Sequence, residues 1–160
     1  MCALTFLIIP CVASAQRTDT VLTVTNQDGV VKRFTIAELR KMPQIEVKAP
    51  ASMNDTNKVT ERGPSLRVVL TAAGAPTGQA LRGPNMLLVV VAEASDGYKA
   101  AYTLAELDEQ FGGRDGIVAL TENGRPISET DGPMRIVVAG EMHRARWVRK
   151  VISLKIVKAG

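Results

Sequence analysis

Cysteine is missing from all but the first eleven residues of this 160-residue chain, where Cys2 and Cys11 are the two thiols. After residue 11 there is no disulfide framework, no thiolate nucleophile and no cysteine-ligated zinc or iron–sulfur centre. Histidine is nearly missing as well, and His143 alone cannot assemble a multi-histidine metal site. Aromatic residues make up 4% of the chain, so few rings are available to stack on bases, and nucleic acid is not the expected partner. Past the N-terminus no apolar run approaches the ~18 residues of a membrane span. GxGxxG, a phosphate-loop lysine and HExxH are all absent. Ser52, Ser65, Ser95 and Ser128 lack the GxSxG elbow, and a triad would have to recruit His143 from an unknown distance.

The chain opens on MCALTFLIIPCVASA, apolar and ending in Ala13-Ser14-Ala15, the small-x-small pattern of a signal-peptidase site. Residues 1–15 are therefore expected to be an export signal, leaving 16–160 as a single periplasmic domain without a thiol. The alternative is a buried first strand, because no Lys or Arg precedes the apolar run. Cys11 follows Pro10 rather than a small residue, which argues against lipoprotein acylation.

TVLTVTNQDGVVKRFT, residues 20–35, reads as a hairpin turning at Asp28-Gly29. Thr35 and Glu38 form a capping box for a short helix to about Lys41, stopped before Pro43. QIEVK, 44–48, is a strand, and APASMNDTNKVTERGP, 49–64, is the longest loop candidate. A helix follows Ser65, with Gly74 at its C-terminal cap. MLLVVVAE, 86–93, suits a fully buried strand; YKAAY follows the Asp96-Gly97 turn, and Thr103 with Glu106 repeats the capping box. IVALTE, RPIS, RIVVA and VISLKIV complete seven or eight strands and two or three short helices. The fold class is α+β, strand-rich, with a mixed-sheet or barrel-like core.

DGPMRIVVAGEMHRARWVRK, 131–150, gathers Arg144, Arg146, Arg149 and Lys150 around the single His and single Trp. Nucleic acid, an anionic lipid surface, a small anionic ligand or a solvated face would each account for these cations. Helical spacing puts Arg146, Arg149 and Lys150 on one side. Trp147 is either a core ring under arginine stems or a stacking platform, and His143 either an idle exposed histidine or a ligand contact. Guanidinium forks near a Gly-Pro turn and an indole suit a compact anion carrying a planar ring.

Ser65-Leu66-Arg67, DGYKAAYTLAEL, Asn123-Gly124-Arg125-Pro126, GPMRIVVAG and ARWVRKVISLKI occur in an order that resembles the sulfite-oxidase-type molybdopterin-binding fold, in particular its short exported single-domain members. The resemblance covers residues 20–157. It implies a pterin or molybdopterin-type ligand held by Arg135 and Arg149 with Trp147 beside it, and Arg146 and His143 nearby. Truncating Arg135 or Arg149 is expected to cost binding and little stability, as for surface arginines. Catalytic members hold molybdenum through a cysteine in the loop before the helix at Ser65. That loop has no cysteine here, and Ser52 or Asp55 would be unusual ligands, so no metal is expected. The resemblance implies a periplasmic, non-catalytic pterin-binding sensor or accessory protein with a membrane-bound signalling or redox partner. The alternatives are a molybdenum-cofactor oxidoreductase or one of its subunits, and a structural or interaction domain without ligand.

Overall fold

A two-stranded ribbon buried on both faces organises the protein, whose computed structural model describes residues 21–50, 57–141 and 144–160. The first hairpin is β1 (Val21–Thr25) and β2 (Val31–Thr35). Asn26 closes its turn, accepting from the Asp28 and Val30 amides at 3.0 and 2.9 Å while its own amide reaches the Ala73 carbonyl at 3.2 Å. Helix α1 (Ile36–Lys41) starts at Thr35, whose hydroxyl oxygen accepts from the Glu38 amide at 3.2 Å while Glu38 accepts from the Thr35 amide at 2.8 Å. Those hydrogen bonds hold the Glu38 carboxyl below its usual range, so its contribution is present above that range and fades as pH falls through the lowered value. Thr35→Ala is expected to lower stability by about 1 kcal/mol in urea denaturation, because it leaves a first-turn amide without its acceptor.

β3 (Gln44–Pro50) pairs antiparallel with β4 (Lys58–Pro64), so half of the expected long loop is strand. Val59, Glu61 and Gly63 of β4 face inward or partly inward, an alternation obscured in sequence by the charges at Lys58, Glu61 and Arg62. Residues 51–56, with Ser52 and Asp55, lie outside the described residues, as do the expected export signal and His143.

Ser65 caps α2 (Leu66–Ala72), and Gly74, at φ +91°, follows its end. A 3-10 turn over 83–87 delays β5 to Leu88–Ala94, and β6 is Lys99–Thr103. The second capping box forms, with the Thr103 amide 3.0 Å from Glu106 and the Glu106 amide 3.1 Å from Thr103. It opens a 3-10 turn rather than an α-helix. Buried Asp108 stops the propagation, because its carboxylate accepts from the Gln110 amide at 3.0 Å and the Gly78 amide at 2.9 Å.

The stretch expected as one strand after residue 116 is divided: β7 (Gly116–Ala119) pairs with β10 (Arg135–Val138), while β8 (Thr121–Glu122) pairs with β4 and with β9 (Arg125–Pro126). The crossing is at Leu120, whose amide donates to the Arg62 carbonyl at 2.8 Å. β11 (Val151–Lys158) lies between β1, to which it is parallel, and β5.

The sheets are β2-β1-β11-β5-β6, β10-β7 and β3-β4-β8-β9. The first is mixed and open, with free edges at β2 and β6. The expected barrel-like core is therefore corrected: the described residues form mixed open sheets and no closed barrel. Alternation in β7 and β10 separates two cores. Val118, Ile136 and Val138 join the large one under the five-stranded sheet and helices, and Ile117, Ala119 and Val137 join a smaller one with Val47, Ala49 and Trp147. Among the described residues no helix is long and apolar enough to cross a membrane.

Candidate functional site

The ribbon's β10 begins at the residue where its burial becomes a chemical problem. The Gly132–Pro133 peptide is cis, and a Cβ on Gly132 would sit 2.8 Å from the Ile127 side chain and 2.9 Å from the Ser128 carbonyl. This tight turn feeds Arg135 into the interior, where 3% of it is exposed. Its guanidinium pairs with Glu61 of β4 and Glu122 of β8, and lies 3.4 Å from Asp131. Burial pushes the Glu61 carboxyl up, against the pull of Arg135. Burial also opposes the charge on Arg135, but the hydrogen bonds it donates to Glu122 and Glu61 outweigh it and hold that guanidinium above its usual value.

A 3-10 turn, Arg144–Arg146, then carries the cations. Arg144 donates to the Pro50 carbonyl at the end of β3 and lies over the Trp147 ring, 4.5 Å from its centre. Burial and the nearby charge of Arg135 lower its pKa. Trp147 is 6% exposed and packs into the smaller core. Arg149 is exposed and donates to Asp131 at 3.2 Å, so one carboxylate bridges Arg135 and Arg149.

Arg135, Arg144, Trp147 and Arg149 line one cleft of about 440 Å³. Asp96, Tyr98 and Asp131 also face it. Three donors in its lining side chains, the Nε of Arg135 and of Arg144 and the indole Nε1 of Trp147, are buried without an acceptor among the described residues. All three groups can only donate. Among the described residues no group of three or more His, Cys, Asp or Glu is placed to hold a metal ion.

No family model and no curated protein matches this chain. A solved structure does. The crystal structure of the sulfane dehydrogenase SoxCD from Paracoccus pantotrophus matches with a TM-score of 0.64 at 19% identity, over 87% of this chain. The chain is similar in fold to SoxCD. It spans 38% of the length of the SoxCD chain it matches, and at this identity the likeness concerns the fold alone.

Within that SoxCD-like fold, the residues expected at the site separate. Arg135, Arg149 and Trp147 come together, and Arg144 joins them. Arg135 is not the surface cation expected but part of a buried ion network, because the alternation of β10 turns it to the same face as Val137. Arg146 does not share a side with Arg149: its Nε donates to Glu141 at 2.6 Å, its Nη1 to Glu106 at 3.1 Å, and it lies 5.1 Å from the centre of the Tyr102 ring. The turn is 3-10 and ends at Arg146, so the helical spacing assumed for residues 146, 149 and 150 does not exist. His143 lies outside the described residues. Sequence reasoning missed Asp131, Glu61 and Glu122, whose pairing with Arg135 joins three strands and a turn far apart in the chain. The placement of Trp147 under an arginine was foreseen as one of two options.

Proposed function

We propose that this protein is an exported, periplasmic binding protein for a pterin or molybdopterin-type ligand, serving as a non-catalytic sensor or accessory to a membrane-bound signalling or redox partner. The observation that carries this reading is the cleft in which three arginines and the single tryptophan meet. Its volume of about 440 Å³ suits a small molecule. The guanidinium groups of Arg144 and Arg149 that line it suit anionic acceptors, such as a carboxylate or a phosphate tail. The SoxCD-like fold and the motif resemblance support the same reading.

In this reading Arg149 exchanges Asp131 for an anionic group of the ligand, since it is exposed and held by one pair. Arg144 borders the ligand through its guanidinium. Trp147 contributes its edge, because Arg144 covers a face of the ring. Arg135 holds the floor through Glu61 and Glu122. The pterin fits this donor set and molybdenum does not. Guanidinium and indole N–H groups have no lone pair to give a metal, and no thiolate exists after Cys11. The oxidoreductase alternative is favoured by the likeness to SoxCD, a dehydrogenase by name.

The test is titration of pterin-6-carboxylate and a phosphorylated pterin by fluorescence. Arg149→Ala and Arg144→Ala are each expected to weaken binding about tenfold or more, the loss of one charge-assisted hydrogen bond. Arg149→Ala should move stability by under ~0.5 kcal/mol. Lys155→Ala, on β11 and outside the cleft, should bind as the parent does. Equal small losses in all three variants, with steep salt dependence, would mean a solvated basic surface. Stoichiometric molybdenum in protein isolated with its native ligand would favour the oxidoreductase.

A further inference from the structure

The turn that supplies Arg144, Ala145 and Trp147 to the cleft has a problem at its end. Its internal hydrogen bond runs from the Trp147 amide to the Arg144 carbonyl at 2.9 Å, which leaves the next two carbonyls, Ala145 and Arg146, unpaired within the turn. Two hydroxyls meet them. Tyr98 donates to the Ala145 carbonyl and Tyr102 to the Arg146 carbonyl. The tyrosines are four residues apart at and in β6, an even spacing that points both rings to the same face of the strand. Tyr102 is 1% exposed, and burial raises its pKa, with Glu141 adding to the shift, so its hydroxyl stays protonated as a donor. Arg146 completes the attachment from the other direction, 3.4 Å from the Ala101 carbonyl and paired with Glu106 and Glu141.

We propose that Tyr98 and Tyr102 are positioning residues that clamp the 144–147 turn to β6 and thereby set the relation of Arg144 and Trp147 to the rest of the cleft. The clamp concerns the cleft whichever ligand fills it. Arg144 reaches the Pro50 carbonyl on β3, in a different sheet from β6, so the turn spans two sheets and needs an anchor on each. Arg146 belongs to this anchor and does not line the cleft.

The single tryptophan makes the inference testable without a ligand. Tyr98→Phe and Tyr102→Phe keep the rings and remove only the hydroxyls. Under native conditions each is expected to shift the Trp147 emission to longer wavelength and raise its quenching by iodide, with the double variant exceeding either single one. Thr35→Ala, comparably destabilised but in α1, serves as the control for a general loss of stability and should leave both signals unchanged. If parent protein binds pterin-6-carboxylate, each Phe variant should lose affinity, up to about fivefold, because a turn short of one neutral hydrogen bond spends less time in the binding arrangement. Parent-like emission and quenching in the double variant would overturn the clamp, as would a shift equal to that of Thr35→Ala. Tyr98→Phe, at a half-exposed position, stays informative if Tyr102→Phe fails to fold. Absence of pterin binding to the parent would overturn the ligand assignment and leave the Trp147 measurement to decide the clamp.

Discussion

Arg135→Ala is expected to cost about 3–5 kcal/mol of stability at neutral pH, the range for breaking a buried ion pair from one side. Glu61 is fully buried, and its side chain loses the partner that offsets its desolvation, whereas Glu122 and Asp131 are partly exposed and can turn to water. The loss has a pH signature. Burial already raises the Glu61 carboxyl above its ordinary value, and Arg135 is the main influence holding it down, so the variant's folded pKa rises further. A folded pKa above the unfolded one means that stability is complete below the unfolded value and falls as pH rises through the folded value. The variant should therefore recover stability on acidification from pH 7 toward the ordinary carboxylate range, more steeply than the parent. Urea denaturation at pH 7 and pH 5 reads both effects. The double variant Glu61→Gln/Arg135→Met should be much closer to the parent than Arg135→Ala, because no unpaired charge remains inside. A cost below about 1 kcal/mol for Arg135→Ala, with no pH dependence, would show that the network is not what holds β4, β8 and β10 together.

Gly63→Ala is expected to destabilise by about 3 kcal/mol, at or beyond the upper end of the usual cost of overpacking. A Cβ at this position would lie 1.9 Å from the Val118 carbonyl oxygen, 2.7 Å from its carbon and 3.0 Å from the Ala119 Cα. All three are backbone atoms of β7, which is buried on both faces and hydrogen-bonded to β10, so no side chain can rotate out of the way. Relief requires β4 to move off β7. Glu61 is two residues earlier on β4, so the same movement draws it from Arg135 and adds to the loss. Thermal or urea unfolding tests the size of the effect, and a loss under about 1 kcal/mol would mean that the β4–β7 approach relaxes easily.

Features whose partners lie within a few residues are legible in the chain. Thr35 and Glu38, Thr103 and Glu106, Asp28-Gly29 and Gly74 act through local hydrogen bonds and positive φ, and each forms in the structure as its residues dictate. Alternation and apolar runs also marked β1, β2, β5, β10 and β11, because burial leaves its period in the chain. Tertiary structure decided whatever depends on pairing between distant segments. It split residues 116–122 between two sheets, since Leu120 takes its partner from Arg62. It made a strand of 58–64, whose charged residues hide an inward face that exists only against β3 and β7. It sent Arg135 into the interior with Glu61 and Arg146 toward Glu106 and Glu141, while Arg149 stayed exposed beside Asp131. These three arginines look alike in sequence. Their fates differ because burying a charge is tolerated only where the fold delivers an opposite one, and the carboxylates that do so here are mostly supplied by other elements of the chain.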